Sequence, residues 1–179
     1  MKVFQGGVIP EEAPVYLGID QSYTGYAITA FHEGNYYTEV YKSDKKGVAR
    51  LQDIQAHTMN WLYEFNNIKD VAMEGYAFGS QMANMLGELG GMVKLTLFQF
   101  NIYPLIVPPT NLKKYACGKG NGVSKSQMLL HVYKNWGVEF TDDNAADSYA
   151  LAHLVSGSYT RAYEKEVYEK LQDPKFRER

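Results

Sequence analysis

A cluster of three carboxylates and one amide lies within six residues near the C-terminal end of the sequence. Asp142, Asp143, Asn144 and Asp147 precede or begin a predicted helix that continues to Leu154. On that helix Asp147 shares a face with Asp143 and Asn144, where like charges cost about a few tenths of a kcal/mol. Such a cluster is tolerated where it caps a helix N-terminus or binds a cation. Capping explains Asp142 or Asp143 but leaves Asp147, inside the helix, unexplained.

Two further acids end predicted buried strands. Asp20 and Glu74 each follow a short apolar run. Taken singly, each is most simply a strand-end or turn residue. If the two strands are parallel neighbours, both carboxylates emerge at the same edge of the sheet, where α/β proteins build their sites. Asp147 would add a third carboxylate there, with Asp143 or Asn144 as a fourth ligand.

The ligands predicted in this way are all oxygen donors, without histidine or cysteine. Oxygen donors select hard cations such as Mg²⁺ or Mn²⁺ rather than zinc. Sites that hold two such ions about 3.5–4 Å apart serve phosphoryl transfer, because one ion activates water and the other stabilises the leaving oxygen. The acids therefore predict a site for two divalent cations that acts on phosphate esters.

The apolar periodicity predicts an α/β fold that could position these acids. The predicted strands cover residues 15–20, 26–31, 36–41, 70–74 and 103–108, and the predicted helices 47–67, 80–100, 109–114 and 124–136, with a C-terminal helix that ends before Pro174. We expect a five-stranded mixed sheet flanked by helices, with strands 1 to 3 antiparallel and strands 4 and 5 parallel. Gly87 and Gly91, four residues apart in the second helix, would let another helix or a nucleic-acid backbone approach closely.

The composition is typical of one soluble domain. The 179 residues are 45% hydrophobic, and no apolar stretch reaches the roughly 20 residues of a membrane span. Cys117 is the only cysteine, which excludes an intrachain disulfide and a cysteine-based zinc site. Residues 1–14 lack the apolar core of a signal peptide, so we expect an N-terminal tail followed by one domain over residues 15–179. A cytoplasmic protein without membrane association is predicted.

A basic segment interrupts this slightly acidic chain, whose net charge is −2. Residues 89–138 contain six lysines and no aspartate or glutamate. This pattern suits an anionic ligand held beside an acidic centre, although a merely solvated lysine surface is the alternative. Lys125 would lie in the first turn of a helix, where free N–H groups favour phosphate. The glycine-rich loop over residues 118–122 lacks the pattern of a nucleotide-binding P-loop.

Five motifs, in the same order along the chain, resemble those of RuvC-type Holliday-junction resolvases. They cover residues 18–26, 73–74, 85–91, 109–128 and 145–152. The resemblance implies an RNase H-like fold, a homodimer, and an endonuclease that depends on Mg²⁺ or Mn²⁺ and nicks branched DNA. The opening Asp20-Gln21-Ser22 is more similar to phage-encoded relatives than to the bacterial repair enzyme.

The resemblance also assigns metal ligands. The acids that bind metal in the family fall on Asp20, Glu74 and Asp147 of this sequence. The fourth position of the family is here Asn144, which can coordinate through its carbonyl oxygen but brings no charge. Asp143 is the alternative fourth ligand.

Contacts with DNA follow from the same resemblance. Two basic residues of the family match Lys114 and Lys125, and Lys125 is predicted to act with the acids in catalysis by neutralising the phosphate. An aromatic residue that could wedge or stack at the junction is matched by Tyr76 or Phe78, for which core packing is the alternative. The predicted DNA contacts are Lys113, Lys114, Lys119, Lys125, Tyr76 and Phe78.

The predicted function is therefore resolution of Holliday junctions and other branched DNA by paired nicking, through two-metal phosphodiester hydrolysis. One alternative is a sugar-kinase- or actin-like ATPase, whose phosphate loops can also begin Gly-Ile-Asp. Such ATPases need two domains around the nucleotide, and this chain is too short for both. The other alternative is a non-catalytic module that binds branched DNA on the same fold. Such a module has no need of acids on three separate elements.

Overall fold

A mixed β-sheet with helices on both faces forms the computed structural model, which describes residues 1–76 and 83–178. The strands are β1 (Lys2–Gly6), β2 (Val15–Asp20), β3 (Tyr26–His32), β4 (Asn35–Tyr41), β5 (Ile68–Glu74) and β6 (Leu105–Val107). The helices are α1 (Gly47–Glu64), α2 (Ala83–Gln99), α3 (Pro109–Cys117), α4 (Lys125–Trp136), α5 (Asp143–Val155) and α6 (Ala162–Leu171), followed by a 3₁₀ turn over Pro174–Phe176. The order of strands across the sheet is β1-β4-β3-β2-β5-β6.

The central strands confirm the predicted mixed sheet. Strands β2, β3 and β4 form an antiparallel meander, and its second turn is a tight one in which Glu33 and Gly34 both adopt positive φ. Strand β5 then lies parallel to β2, and β6 lies parallel to β5. Because β2 and β5 run side by side in the same direction, the acids at their ends reach the same edge of the sheet.

The predicted count of five strands is wrong, because the described residues already form a six-stranded sheet. The additional strand β1 lies inside the stretch predicted as an N-terminal tail and pairs antiparallel with β4 at the edge of the sheet. Its Phe4 packs edge-on against Phe140, with the ring centroids 5.3 Å apart. Prolines and acids at residues 10–14 hid this strand, because they are typical of a tail and come directly after it.

Helix α5 is the buried centre of one side of the fold. It lies across β2, β3 and β5 and is covered in turn by α3, α4 and α6, so that nearly all of its side chains are buried. Contact with β2 is close because Gly18 has no side chain. A Cβ atom at this position would overlap the carbonyl oxygen of Ser148 and the backbone nitrogen of Ala152. The Ser148 hydroxyl also hydrogen-bonds Thr29 of β3 at 2.8 Å.

Gly18→Ala is therefore expected to destabilise the protein strongly. The added methyl group meets backbone atoms, which cannot rotate away, so α5 must shift from the sheet. We expect a loss of about 3 kcal/mol or more in the free energy of unfolding, measured by urea titration. Gly91→Ala is the control, since a Cβ there meets nothing within 4 Å in the described part of the chain. Equal stability of the two variants would contradict the packing of α5 on β2.

The remaining differences from the predicted elements are at their ends. Helix α3 continues beyond the predicted residue 114 until Gly118 ends it in the left-handed conformation. The last strand is shortened to three residues between Pro104 and Pro108. On the other face of the sheet, α1 and α2 cover a second apolar core. None of the helices in residues 1–76 and 83–178 has the length and apolar character needed to cross a bilayer.

Candidate active site

The predicted acids meet in one open pocket at the sheet edge where β2 and β5 end. The pocket has a volume of about 330 Å³. Its lining includes Asp20, Glu74, Asp143, Asn144, Asp147, Lys125 and Tyr76. Three elements that are far apart in the sequence thus bring their acids to one place.

Parallel pairing of two strands positions the first two acids. The last pair of residues in register between β2 and β5 is Ile19 with Met73, so Asp20 and Glu74 leave the sheet side by side. Asp20 is only 5% exposed, which places its carboxylate at the floor of the pocket. The predicted arrangement of strand-end acids is therefore seen in the structure.

Helix α5 supplies the remaining acids, and its capping residue lies apart from them. Asp142 is the N-cap, accepting a hydrogen bond from the backbone N–H of Asn144 at 3.2 Å, and it also pairs with Lys2 at 2.8 Å. The capping interpretation of the acidic cluster therefore applies to Asp142, and the cation interpretation stays a prediction for the other acids. Asp142 caps the helix, whereas Asp143 and Asp147 line the pocket.

Negative charge in the pocket exceeds the nearby positive charge. Burial raises the pKa of Asp20 well above its usual value, and the charges of Glu74, Asp147 and Asp143 raise it further. Burial also raises the pKa of Glu74 to about 7. The pKa of Asp147 rises to about 8 through burial and the charges of Glu74 and Asp143. Such shifts are typical of functional sites, and a bound cation would reverse them.

The acids line the pocket without closing around a single point. Across residues 1–76 and 83–178, no three aspartate, glutamate, histidine or cysteine side chains lie close enough together to hold one ion in this arrangement. The carboxylates repel one another, which favours separated rotamers in a pocket of this volume. The site as seen is a carboxylate-lined cavity rather than a formed ligand cage.

The two candidates for the fourth ligand have different surroundings. Asp143 forms an ion pair with the side chain of Lys125. Asn144 turns its amide nitrogen towards Gly25, where a Cβ atom would crowd it. Both side chains line the pocket, so each stays a predicted ligand.

The lysines of α3 face in different directions. Burial raises the pKa of both Glu74 and Asp147, and the charge of Lys113 opposes this by lowering both values. Lys114 instead bonds Glu166 of α6 at 2.5 Å. The structure does not bring Lys114, matched by sequence to a basic position of the family, to the acids. The helical phase, set by the buried Leu112 and Tyr115, gives Lys113 a direction different from that of Lys114, and the charge of Lys113 is the one that affects the acids.

The other predicted DNA contacts have varied positions. Lys125 is 80% exposed at the start of α4 and lines the pocket. Lys119 lies in the loop after α3; burial raises the pKa of the Cys117 thiol, and the charge of Lys119 opposes this. Tyr76 lines the pocket, with its hydroxyl directed at Gly90 of α2. Phe78 lies outside the described residues.

Sequence reasoning assigned no role to two residues that shape the pocket. Gln21 follows Asp20 and donates a hydrogen bond from Nε2 to the backbone carbonyl of Glu74 at 2.8 Å. Gly90 is a point of close approach within the fold, to Gln21 and Tyr76. Gly87 and Gly91 have open space around them within the described chain, so their predicted close approach to another helix or a nucleic-acid backbone stays a prediction. The sequence contains two indications of these roles: a glutamine directly after a strand-end acid, and a glycine inside a predicted helix.

The order and direction of the strands, with α5 packed across them, define an α/β fold that is also found in solved structures. Two solved structures share the fold over almost the whole chain. Thermus thermophilus RuvC has a TM-score of 0.65 and 20% identity, covering 92% of this chain and 98% of its own. T. thermophilus RuvC in complex with Holliday junction substrate has a TM-score of 0.66 and 20% identity, covering 89% and 96%. No protein-family model and no curated protein matches the sequence. The predicted likeness to RuvC-type proteins is thus confirmed at the level of the fold.

Proposed function

We propose that this protein is a metal-dependent endonuclease that resolves Holliday junctions and related branched DNA by paired nicking. The observation that carries the proposal is the convergence of Asp20, Glu74 and Asp147, from β2, β5 and α5, in one open pocket. A RuvC with the same fold is described in complex with a Holliday junction substrate, which supports the choice of DNA.

The pocket fits divalent cations by its donor set and its charge. Oxygen ligands favour Mg²⁺ or Mn²⁺, and the raised pKa values of Asp20, Glu74 and Asp147 reflect negative charge that such cations would neutralise. We propose two ions per site, held by these three acids with Asp143 or Asn144. Bound there, they would neutralise the phosphate and provide a nucleophile from water. Hydrolysis would add water to phosphorus and break the P–O3′ bond, leaving 5′-phosphate and 3′-hydroxyl ends.

Two lysines flank the acids and would hold the scissile phosphate. Lys113 would act from α3, where its charge already lowers the pKa of Glu74 and Asp147. Lys125 is exposed at the N-terminus of α4, and its pairing with Asp143 raises its pKa, so it stays cationic. Because its side chain is long and exposed, it can exchange Asp143 for a phosphate oxygen. Positive charge placed where negative charge develops stabilises the transition state.

Lys113 and Lys114 are expected to differ sharply when each is replaced by alanine. Lys113→Ala removes a charge beside the reacting phosphate, so we expect a loss of about 10²-fold in the single-turnover nicking rate. Lys114→Ala breaks only an exposed pair with Glu166 and should change the rate less than about threefold. The two variants are matched controls for each other. A larger loss of nicking rate in Lys114→Ala than in Lys113→Ala would contradict the orientation that the helical phase of α3 gives to these two lysines.

An apolar patch supports the proposed homodimer. Leu95 and Phe98 lie one turn apart on α2 and are 55% and 54% exposed. Tyr103 packs edge-on against Phe98, and together with Ile102 these side chains line a groove of about 160 Å³. Exposed apolar surfaces of this kind mark protein contacts, and a two-fold axis would bury the patch against its copy. A dimer would supply one active site for each strand that paired nicking requires.

Phe98→Glu is accordingly expected to convert the dimer into a monomer. A charge in the centre of an apolar contact leaves an unpaired buried carboxylate, which association cannot compensate. Light scattering after size exclusion gives the mass directly. Val48→Glu is the control, because Val48 is 80% exposed on α1 and should leave the dimer intact. A wild-type chain that stays monomeric at every concentration would contradict the dimer.

Nicking of a four-way junction, compared with a linear duplex of the same sequence, tests the proposed function. We expect Mg²⁺-dependent nicking of the junction and little cleavage of the duplex. Junction binding without nicking in Mg²⁺ or Mn²⁺ would indicate the non-catalytic DNA-binding module instead. Heat or fluorescence changes on adding ATP, with neither binding nor nicking of DNA, would indicate the ATPase alternative.

A further inference from the structure

The side-chain amide of Gln21 connects the two strands that carry Asp20 and Glu74. Gln21 is 5% exposed, and its Nε2 donates to the backbone carbonyl of Glu74 at 2.8 Å. The β2–β5 ladder has its last residue pair at Ile19 and Met73, one residue before each acid. The amide therefore extends the connection between the strands past the end of the ladder, to the level of the acids themselves.

The end of β5 is held from both sides. On the side of β6, the backbone N–H of Gly75 donates to the carbonyl of Val107 at 2.8 Å. On the side of β2, the described chain provides the Gln21 amide as the donor to the Glu74 carbonyl. Loss of this amide would leave Glu74 tied to β6 but free to move relative to Asp20.

The oxygen of the same amide lies against α2. Gln21 Oε1 is buried and has no hydrogen-bond donor within residues 1–76 and 83–178. A Cβ atom at Gly90 would overlap both this oxygen and the hydroxyl of Tyr76. A cavity of about 20 Å³, lined in part by Gln21, Tyr76 and Lys94, adjoins them and has room for about one water molecule as a donor.

Burying an amide whose oxygen has no donor among residues 1–76 and 83–178 is costly, because an apolar side chain of the same size would pack there without that penalty. An apolar side chain could not donate the hydrogen bond that Gln21 Nε2 donates to the Glu74 carbonyl. The hydrogen bond ties the backbone of Glu74 to the residue that follows Asp20, and it thereby limits the separation of two acids that line the pocket.

We propose that Gln21 is a positioning residue of the cation site, which holds Asp20 and Glu74 at the spacing that a shared divalent cation requires. Gly90 contributes to the same arrangement, because a side chain at this position would displace the Gln21 amide from the Glu74 carbonyl. This inference rests on the proposed function only in that Asp20 and Glu74 hold the cation. Partners that orient ligands in this way typically contribute about 10- to 100-fold to metal affinity.

Calorimetric titration of the DNA-free protein with Mn²⁺ tests the proposal. Gln21→Met keeps the size of the side chain and removes its polar atoms, and Gln21→Asn keeps the amide but is too short to reach Glu74. Both are expected to bind Mn²⁺ about 10- to 100-fold more weakly than the wild type. Gly90→Ala should show the same loss, although alanine favours a helix more than glycine does. Gly91→Ala, on the open face of α2, should bind as the wild type does.

Thermal unfolding without metal separates positioning from a general loss of structure. The midpoint of Gln21→Asn should stay within a few degrees of the wild type while its Mn²⁺ affinity falls. Unchanged Mn²⁺ affinity in the folded Gln21 and Gly90 variants would overturn the inference. The result that defeats the proposed function is different: strong Mn²⁺ binding by the wild type, with the expected loss in the variants, but no nicking of the junction.

Discussion

Asp20→Asn is expected to reduce the rate of junction nicking by at least about 10³-fold, the upper end of the loss when one electrostatic group leaves a reacting centre. Asp20 occupies the floor of the pocket, and its carboxylate interacts electrostatically with Glu74, Asp147 and Asp143. An amide keeps the size of the side chain but removes the charge that the cation needs. Binding of the junction should survive, because it depends on lysines outside the pocket floor. Single-turnover nicking and gel-shift titration measure the two quantities separately.

Asp142→Asn provides the matched control for this prediction. Asp142 lies in the same acidic cluster, but it caps α5 and pairs with Lys2 rather than lining the pocket. Asparagine caps helices about as well as aspartate. Nicking by Asp142→Asn should therefore stay close to the wild-type rate. Wild-type nicking by Asp20→Asn would show that the acids have been assigned wrongly.

Raising the pH from about 5 to 8 is expected to lower the thermal unfolding midpoint of the metal-free protein by several degrees. The folded-state pKa values of Glu74 and Asp147 are raised by burial to about 7 and about 8. A carboxyl group whose pKa is raised on folding stabilises the folded state fully at pH values below its unfolded pKa. That stabilisation is lost as the pH rises through the folded pKa, here through about 7 for Glu74 and about 8 for Asp147.

Divalent cations should have the opposite dependence on pH. They bind the deprotonated carboxylates, so Mn²⁺ affinity should rise at least about tenfold between pH 6 and pH 8 and restore the lost stability. Calorimetry across this range measures the affinity, and differential scanning measures the midpoint. Asp147→Asn removes one of the three pocket carboxyl groups with raised pKa values and should flatten both curves. A metal-free midpoint that stays constant from pH 5 to 8 would contradict the charge imbalance of the pocket.

The sequence predicted the acids that line the pocket because their positions depend on local pattern. A buried strand that ends in an acid is visible as a short apolar run, and two such runs gave Asp20 and Glu74. Asp147 stood out because capping of the helix could not explain it. Parallel pairing of β2 and β5, which brings the first two together, follows from the usual arrangement of strands in α/β proteins.

Other features depend on packing between elements that are distant in the sequence, and local sequence patterns do not indicate such packing. Strand β1 forms because it pairs with the edge of β4. Its own five residues do not indicate a strand by themselves. The choice between Lys113 and Lys114 depends on how α3 rotates against α6 and the acids. Roles for Gln21 and Gly90 appear only when α2 is placed beside the ends of β2 and β5.

Mg²⁺-initiated cleavage of a preformed complex tests the central claim most directly. The protein is bound to a four-way junction labelled on two opposing strands, in the absence of divalent cations, and Mg²⁺ is then added. We predict nicks at matching positions in both labelled strands, formed only after the addition and not formed by Asp20→Asn. A bound junction that stays intact with the folded wild-type protein in both Mg²⁺ and Mn²⁺ would contradict the proposal.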